Sequence, residues 1–185
     1  YDRFLTSGDA LRAKKLTDLF VKATNHQFAI CFTGHFSAGK SSMVNELIGE
    51  NILTSSPIPT SANLVIMEHG EPGIKITNKD DTTISLKPPY NKELIKEYTK
   101  DSNDVMRMTI YHQDVPSNLI YMDTPGIDST DDTHIQATEN ALHIADAIFY
   151  MVEYNHVQSS TNFKYLKELS DYNKPIYLIV NQIDK

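Results

Sequence analysis

Gly34-His35-Phe36-Ser37-Ala38-Gly39-Lys40-Ser41 is the stretch that decides the fold. It spells G-x-x-x-x-G-K-[ST] and stands between a short apolar run over residues 27–33 and a segment over residues 41–48 with Met43, Val44, Leu47 and Ile48 at helical spacing. Strand, glycine loop and helix in that order are what the chemistry of this motif requires. The glycines let the backbone curl so that its N–H groups face phosphate oxygens, and the positive end of the helix points at the same anion. Lys40 can reach the β- and γ-phosphates, and the Ser41 hydroxyl can ligate magnesium. The expected phosphate-binding set is therefore Gly34, His35, Phe36, Ser37, Ala38, Gly39, Lys40, Ser41 and Ser42.

Two later stretches complete the same chemistry. Asp123-Thr124-Pro125-Gly126 follows the apolar run 119–122, which places Asp123 at the carboxyl end of a strand, where open α/β sheets bind ligands. There Asp123 can hold the magnesium, and the Gly126 N–H can approach a γ-phosphate with no side chain in the way. Asn181-Gln182-Ile183-Asp184 follows the apolar run 176–180 and resembles the N-K-x-D signature with which GTPases select guanine. The Asp184 carboxylate can accept two hydrogen bonds, from guanine N1 and the exocyclic amine, a donor pair that adenine lacks. Asn181, Gln182, Asp184 and Lys185 are the expected base-side contacts. Gln182 stands where the pattern has lysine and offers a shorter apolar stem to cover the base.

Between the glycine loop and Asp123, a threonine is expected to contact magnesium and close over the γ-phosphate. Thr60 fits, because Pro59-Thr60-Ser61-Ala62 directly precedes a strand; Thr54 is the alternative.

The 185 residues, 40% of them hydrophobic, suffice for one domain with a sizeable core. A formal charge of −7 offers no basic field to a phosphate backbone or an anionic lipid, so neither nucleic acid nor membrane is expected to bind this segment by itself. Cys31, the sole cysteine, lies in an apolar run and reads as a buried inert thiol, with no disulfide possible within the chain. Nothing approaches the roughly 18 consecutive apolar residues of a membrane span, and Tyr1-Asp2-Arg3 has no signal-peptide character. A reducing cytosolic compartment is expected.

Along the chain, residues 9–22 carry Leu11, Leu16, Leu19 and Phe20 among charged residues and predict an amphipathic helix. A loop over 54–59 leads to a strand over 63–67. Segments 74–77 and 82–86 alternate around Asn78-Lys79-Asp80-Asp81 and predict a hairpin, closed by Pro88-Pro89. A helix over 92–98, strands over 105–111 and 118–122 and a loop through Asp132 follow. A helix over 134–144, a strand over 147–152, a helix over 161–169 and a strand over 176–180 then alternate, which implies βαβ units and a mainly parallel sheet.

In order and detail these motifs resemble the translation-factor-related class of P-loop GTPases, and most closely the dynamin superfamily, in particular bacterial dynamin-like proteins. The resemblance rests on Gly34 to Ser42 with Asn45, Leu47 and Gly49, on Pro59-Thr60-Ser61-Ala62, and on Asp123-Thr124-Pro125-Gly126-Ile127. It implies an α/β P-loop GTPase fold, a mainly parallel sheet flanked by helices, with a hairpin insertion and an N-terminal amphipathic helix. Residues 1–185 then read as a partial dynamin-type GTPase domain: a helix over about 9–24 and a nucleotide-binding core over 27–185. That core would lack its last strand and helix, which are expected elsewhere in the protein.

The resemblance further implies GTP and GDP as substrate and product, Mg2+, a charge-compensating monovalent cation or basic group near the loop, and a homodimer through the nucleotide face. Membrane lipid would be reached through regions outside this chain, placing the protein in the cytoplasm, peripherally on the cytoplasmic membrane face. The helix over 9–22 would join a small bundle or pack on the domain's own flank.

Ile127 occupies the place where Ras-like enzymes carry a water-orienting glutamine, and its side chain can neither donate nor accept. Ser37 and the Thr60 backbone are the expected substitutes, and dynamin itself has glutamine where Phe36 stands. The expected catalytic set is Ser37, Lys40, Thr60 and Gly126, with Ser41, Thr60 and Asp123 around the metal. His35, His134 and His156 lack metal spacing and are assigned no catalysis; Asp131-Asp132 reads as a solvated loop. The alternatives are a stand-alone switch GTPase with a protein or ribosomal partner, and a nucleotide-binding module with negligible hydrolysis.

Overall fold

A computed structural model describes residues 10–50, 53, 64–89, 105–127 and 132–184. Thr54, Thr60, Asp131, Lys185 and the expected helix over 92–98 lie outside the described residues, as does the side chain of His134.

Eight strands form one sheet: β1 Phe28–Gly34, β2 Leu64–His69, β3 Gly73–Asn78, β4 Thr83–Leu86, β5 Val105–His112, β6 Leu119–Asp123, β7 Ala147–Glu153 and β8 Ile176–Asn181. Their order is β4-β3-β5-β2-β6-β1-β7-β8. From β6 through β8 every pairing is parallel. β2 runs antiparallel to β6 yet parallel to β5, and the β3–β4 hairpin adds to β5 antiparallel, with Ile74 opposite Leu86 and Thr77 opposite Thr83. The sheet is thus parallel where it carries the glycine loop and mixed beyond β6. Among the described residues the helices are α1 Ala10–Thr24, α2 Lys40–Ile48, α3 Asp132–Ile144 and α4 Ser160–Ser170, with a 3-10 turn at Tyr154–His156.

Alternate residues of the central strands feed two cores, one on each face of the sheet. Phe32, Met67, Tyr121 and Met151 pack with Val44 and Ile48 of α2 on one face. Cys31, Met122, Ile148 and Tyr150 pack with Ala141 and Leu142 of α3 and Leu169 of α4 on the other. The Phe32 ring meets Tyr121 and Phe149 edge-on, with centroids 6.1 and 5.3 Å away. Cys31 is fully buried, and burial, with Asp123 nearby, pushes its thiol up to about 12; it is the inert core residue its apolar run suggests.

α1 lies on the domain's own flank. Its Ala13 is buried, and Lys22 Nζ donates to the Ile144 carbonyl and to Asp146 Oδ1, each at 2.7 Å, while Phe20 and Val21 stay exposed. The end of α3 is closed by Lys174, whose Nζ donates to the carbonyls of Leu142, His143 and Ala145 at 2.7, 2.8 and 2.5 Å. All three ammonium protons are used on carbonyls that a helix terminus leaves without intrahelical partners.

One local expectation needs correction. Asp132 is not loop: it opens α3, two residues before the expected start. β8 forms as expected, at the edge of the described sheet, with Tyr177, Leu178 and Val180 exposed. The 3-10 turn after β7 carries no sequence signal of its own.

Candidate nucleotide-binding site

β1 delivers the loop. Its last residue, Gly34, lies opposite Met151 of β7, and a Cβ there would overlap the Met151 carbonyl oxygen, so no other residue fits. Gly39 caps α2 in the left-handed region at φ +92°, a conformation that side chains other than glycine rarely adopt. Between them Ser37 has φ +64°. Lys40 begins α2 and is 7% exposed; its Nζ donates to the loop's own carbonyls, Gly34 O at 3.1 Å and His35 O at 2.8 Å. The ammonium is therefore held inside the curve of the loop, where phosphates are bound in this motif.

β6 brings Asp123 beside it, level with Phe32 of β1, and the Thr124 hydroxyl donates to the Phe32 carbonyl at 2.9 Å. Asp123 Oδ2 accepts the Ser41 hydroxyl at 2.5 Å, while Oδ1 is buried without a hydrogen-bond partner among the described residues. Burial pushes the Asp123 carboxyl up to about 6, against the lowering effects of Ser41 and Lys40. A buried carboxylate oxygen with no donor, next to a hydroxyl at the mouth of a phosphate loop, is a donor set that fits a hard divalent cation. Gly126 approaches the loop closely: a Cβ on it would stand 2.8 Å from the Phe36 nitrogen. The Ile127 N–H donates to the Gly34 carbonyl at 3.1 Å, and its side chain packs against the core beneath α3.

β8 closes the other side. Asn181 Nδ2 donates to the Ala38 carbonyl at 2.9 Å, and Gln182 Nε2 to the Ser37 carbonyl at 2.7 Å. Gln182, the departure from the usual lysine, thus still holds the loop through a nitrogen donor. Asp184 is exposed, and so are Phe36 at 64% and Ile183 at 73%, which flank the loop. The structure brings the three motifs together around one loop; Thr60 and Lys185 lie outside the described residues.

Sequence reasoning missed the inner side of the loop. His35 Nε2 lies 2.6 Å from Asn162 Oδ1, and Tyr150 OH donates to the same oxygen at 2.6 Å. Asn162, 1% exposed in the first turn of α4, also donates through Nδ2 to the His156 carbonyl at 2.5 Å. Its only sequence signal is an asparagine near a helix start, which usually means capping. His156 itself is exposed, with Nδ1 3.3 Å from Glu153.

Among known families, the model of the Dynamin family matches residues 30–184. The chain belongs to the dynamin family. It is similar to Dynamin-like protein A of Bacillus subtilis, 43% identical over 187 residues that cover all of this chain and 16% of that protein. It is also similar to Dynamin-like protein 2 of Campylobacter jejuni, 24% identical over 161 residues, 84% of this chain and 26% of that protein. Among solved structures, a member of an oligomerised bacterial dynamin pair, described in terms of long-range sensing and tethering of membranes, superposes with a TM-score of 0.64. That match is 16% identical and covers 91% of this chain and 28% of that one, so it speaks for the fold. The chain therefore carries the GTPase domain of a bacterial-type dynamin-like protein and spans a small part of the length of the dynamins it matches.

Proposed function

We propose that this dynamin domain binds GTP with magnesium and hydrolyses it, and that nucleotide-dependent pairing of two such domains drives work on membranes by the protein that contains it. The observation that carries the chemistry is the Ser41–Asp123 pair, whose buried Oδ1 has no partner among the described residues, set beside a lysine inside a glycine loop. Ser41 and Asp123 would hold magnesium, which would supply charge neutralisation to the phosphates. Lys40 exchanges its loop carbonyls for phosphate oxygens, the loop N–H groups orient the chain of phosphates, and Asn181 and Gln182 fix the loop relative to the base site, where Asp184 selects guanine. Phosphoryl transfer to water rests on this positioning and on electrostatics, with no covalent intermediate. Ile127 cannot orient the water, which leaves Ser37, the Thr60 backbone and the Gly126 N–H as the groups that do, ordered by pairing across the nucleotide face and assisted by a monovalent cation.

The exposed Phe36 and Ile183 beside the loop suit that pairing surface. No helix among the described residues is long and apolar enough to cross a membrane; contact with lipid is assigned to other parts of the protein. The test is GTP turnover by the full-length protein against its own concentration, with and without liposomes. Specific activity that rises with concentration and on lipid is the expected result. A flat, lipid-insensitive rate would favour a solitary switch GTPase, and no turnover at all a nucleotide-binding module.

A further inference from the structure

We infer that Asn162 is a positioning residue for guanine-nucleotide binding, acting on Lys40 through His35; the inference rests on the function proposed above. Two hydrogen bonds link Asn162 to Lys40, and three more anchor Asn162 itself. The buried Asn162 amide is oriented by its surroundings: Nδ2 points at the His156 carbonyl at 2.5 Å and Oδ1 at the Tyr150 hydroxyl at 2.6 Å. Its backbone N–H donates to Ser159 Oγ at 3.2 Å, which fixes the start of α4.

With Nδ2 committed to a carbonyl, Oδ1 is the atom facing His35, and an amide oxygen can only accept. His35 Nε2, 2.6 Å away, is therefore the donor, and the imidazole carries its proton on Nε2. The carbonyl of that same His35 accepts from Lys40 Nζ at 2.8 Å. The imidazole ring is thus anchored to α4 while its backbone holds the lysine that must meet the phosphates. Beyond the loop's own contacts, Asn181 and Gln182 hold Ala38 and Ser37 from the β8 side, so the loop is fixed on two sides, and Asn162 supplies the second. An isolated buried asparagine serving only the fold would satisfy itself within α4 and β7; here one of its acceptor positions is spent on a residue of the phosphate loop.

The experiment is a double-mutant cycle in the full-length protein, with Asn162→Ala, His35→Ala and the double variant, read as KM and kcat for GTP together with the Kd of fluorescent GDP. Each single variant is expected to raise KM and Kd about fivefold, the effect of one lost hydrogen bond of ordinary strength, with kcat changed less than about twofold. Because both act through one chain, the double variant is expected to be no worse than the poorer single. Fold-changes that multiply, or an Asn162→Ala protein that melts lower while KM and Kd stay put, would overturn the inference.

If Asn162→Ala does not fold, His35→Gln and His35→Leu decide instead. The glutamine amide can still donate to Asn162 Oδ1 and should raise KM less than leucine does; equal KM in both would sink the idea. Wild-type protein that binds no guanine nucleotide would instead refute the proposed function itself, an outcome visible before any variant is made.

Discussion

Gln182 Nε2 donates to the Ser37 carbonyl at 2.7 Å, so the Asn181–Asp184 motif and the phosphate loop are joined by a direct bond where the usual residue is a lysine. The amide replaces the ammonium's role as a tether but not its charge or its longer stem. Gln182→Ala is expected to weaken GDP binding about threefold to tenfold, the range for one partly exposed hydrogen bond plus lost cover for the base. Gln182→Lys should bind at least as tightly as wild type. Titration of fluorescent GDP measures both, and an alanine variant with unchanged affinity would show that the tether is idle.

Asp123 couples the site to pH. Burial raises its carboxyl from the ordinary 3.8 to about 6, so between those values the folded protein holds a proton that the unfolded chain has released. Stability contributed by this group is therefore greatest at low pH and falls as pH rises through that window; above pH 6 the ionised form costs about 3 kcal/mol. In EDTA, the contribution should appear as a difference between wild type and Asp123→Asn: the variant should gain relative to wild type as pH goes from 5 to 7.5 and melt no lower at pH 7.5. The same variant should lose magnesium-dependent GTP binding. Scanning fluorimetry across pH tests the first point, and a variant that melts several degrees lower at pH 7.5 would contradict it.

Lys174 provides a stability control remote from the loop. Lys174→Met keeps the aliphatic stem and removes three donors from the end of α3. The expected loss is about 2 kcal/mol, from orphaned carbonyls at a helix terminus that also favours positive charge. Denaturant unfolding should register it, while the Kd for GDP stays within twofold of wild type.

Gly126→Ala places a Cβ 2.8 Å from the Phe36 nitrogen, and the segment after β6 must retreat from the loop. GDP has no oxygen that needs the Gly126 N–H, so its affinity should change less than about threefold, whereas GTP turnover should fall at least tenfold, the usual effect of losing a donor aimed at transferring charge. Single-turnover hydrolysis separates the two, and parallel losses in binding and turnover would argue against a role confined to the γ-phosphate.

Much of this was legible in the sequence because the decisive residues are neighbours in the chain. Gly34, Gly39 and Lys40 are fixed by local backbone geometry, and the Asn78-Lys79-Asp80-Asp81 turn sets the β3–β4 register over a few residues. What was not legible depends on distant partners. Asn162 meets His35 across 127 positions, and no periodicity marks that meeting. The reversal of β2 against β6 follows from how connections cross the sheet, since an apolar run reads the same in either direction. The exposed face of β8 was hidden for a similar reason: residues 176–180 are apolar wherever the edge of the sheet falls.

The central position of β1 has a consequence for biosynthesis. Both of its neighbours, β6 and β7, are encoded later, and the Thr124 hydroxyl that grips the Phe32 carbonyl lies 92 residues further along. At ribosomal speeds of about 5–20 residues per second, the strand bearing the glycine loop waits roughly 5–20 s before its first flank has been made. During that wait its apolar residues lack their sheet partners, while the β3–β4 hairpin can already close on itself. The nascent chain therefore passes through an interval in which the strand bearing the glycine loop is complete and its sheet is not.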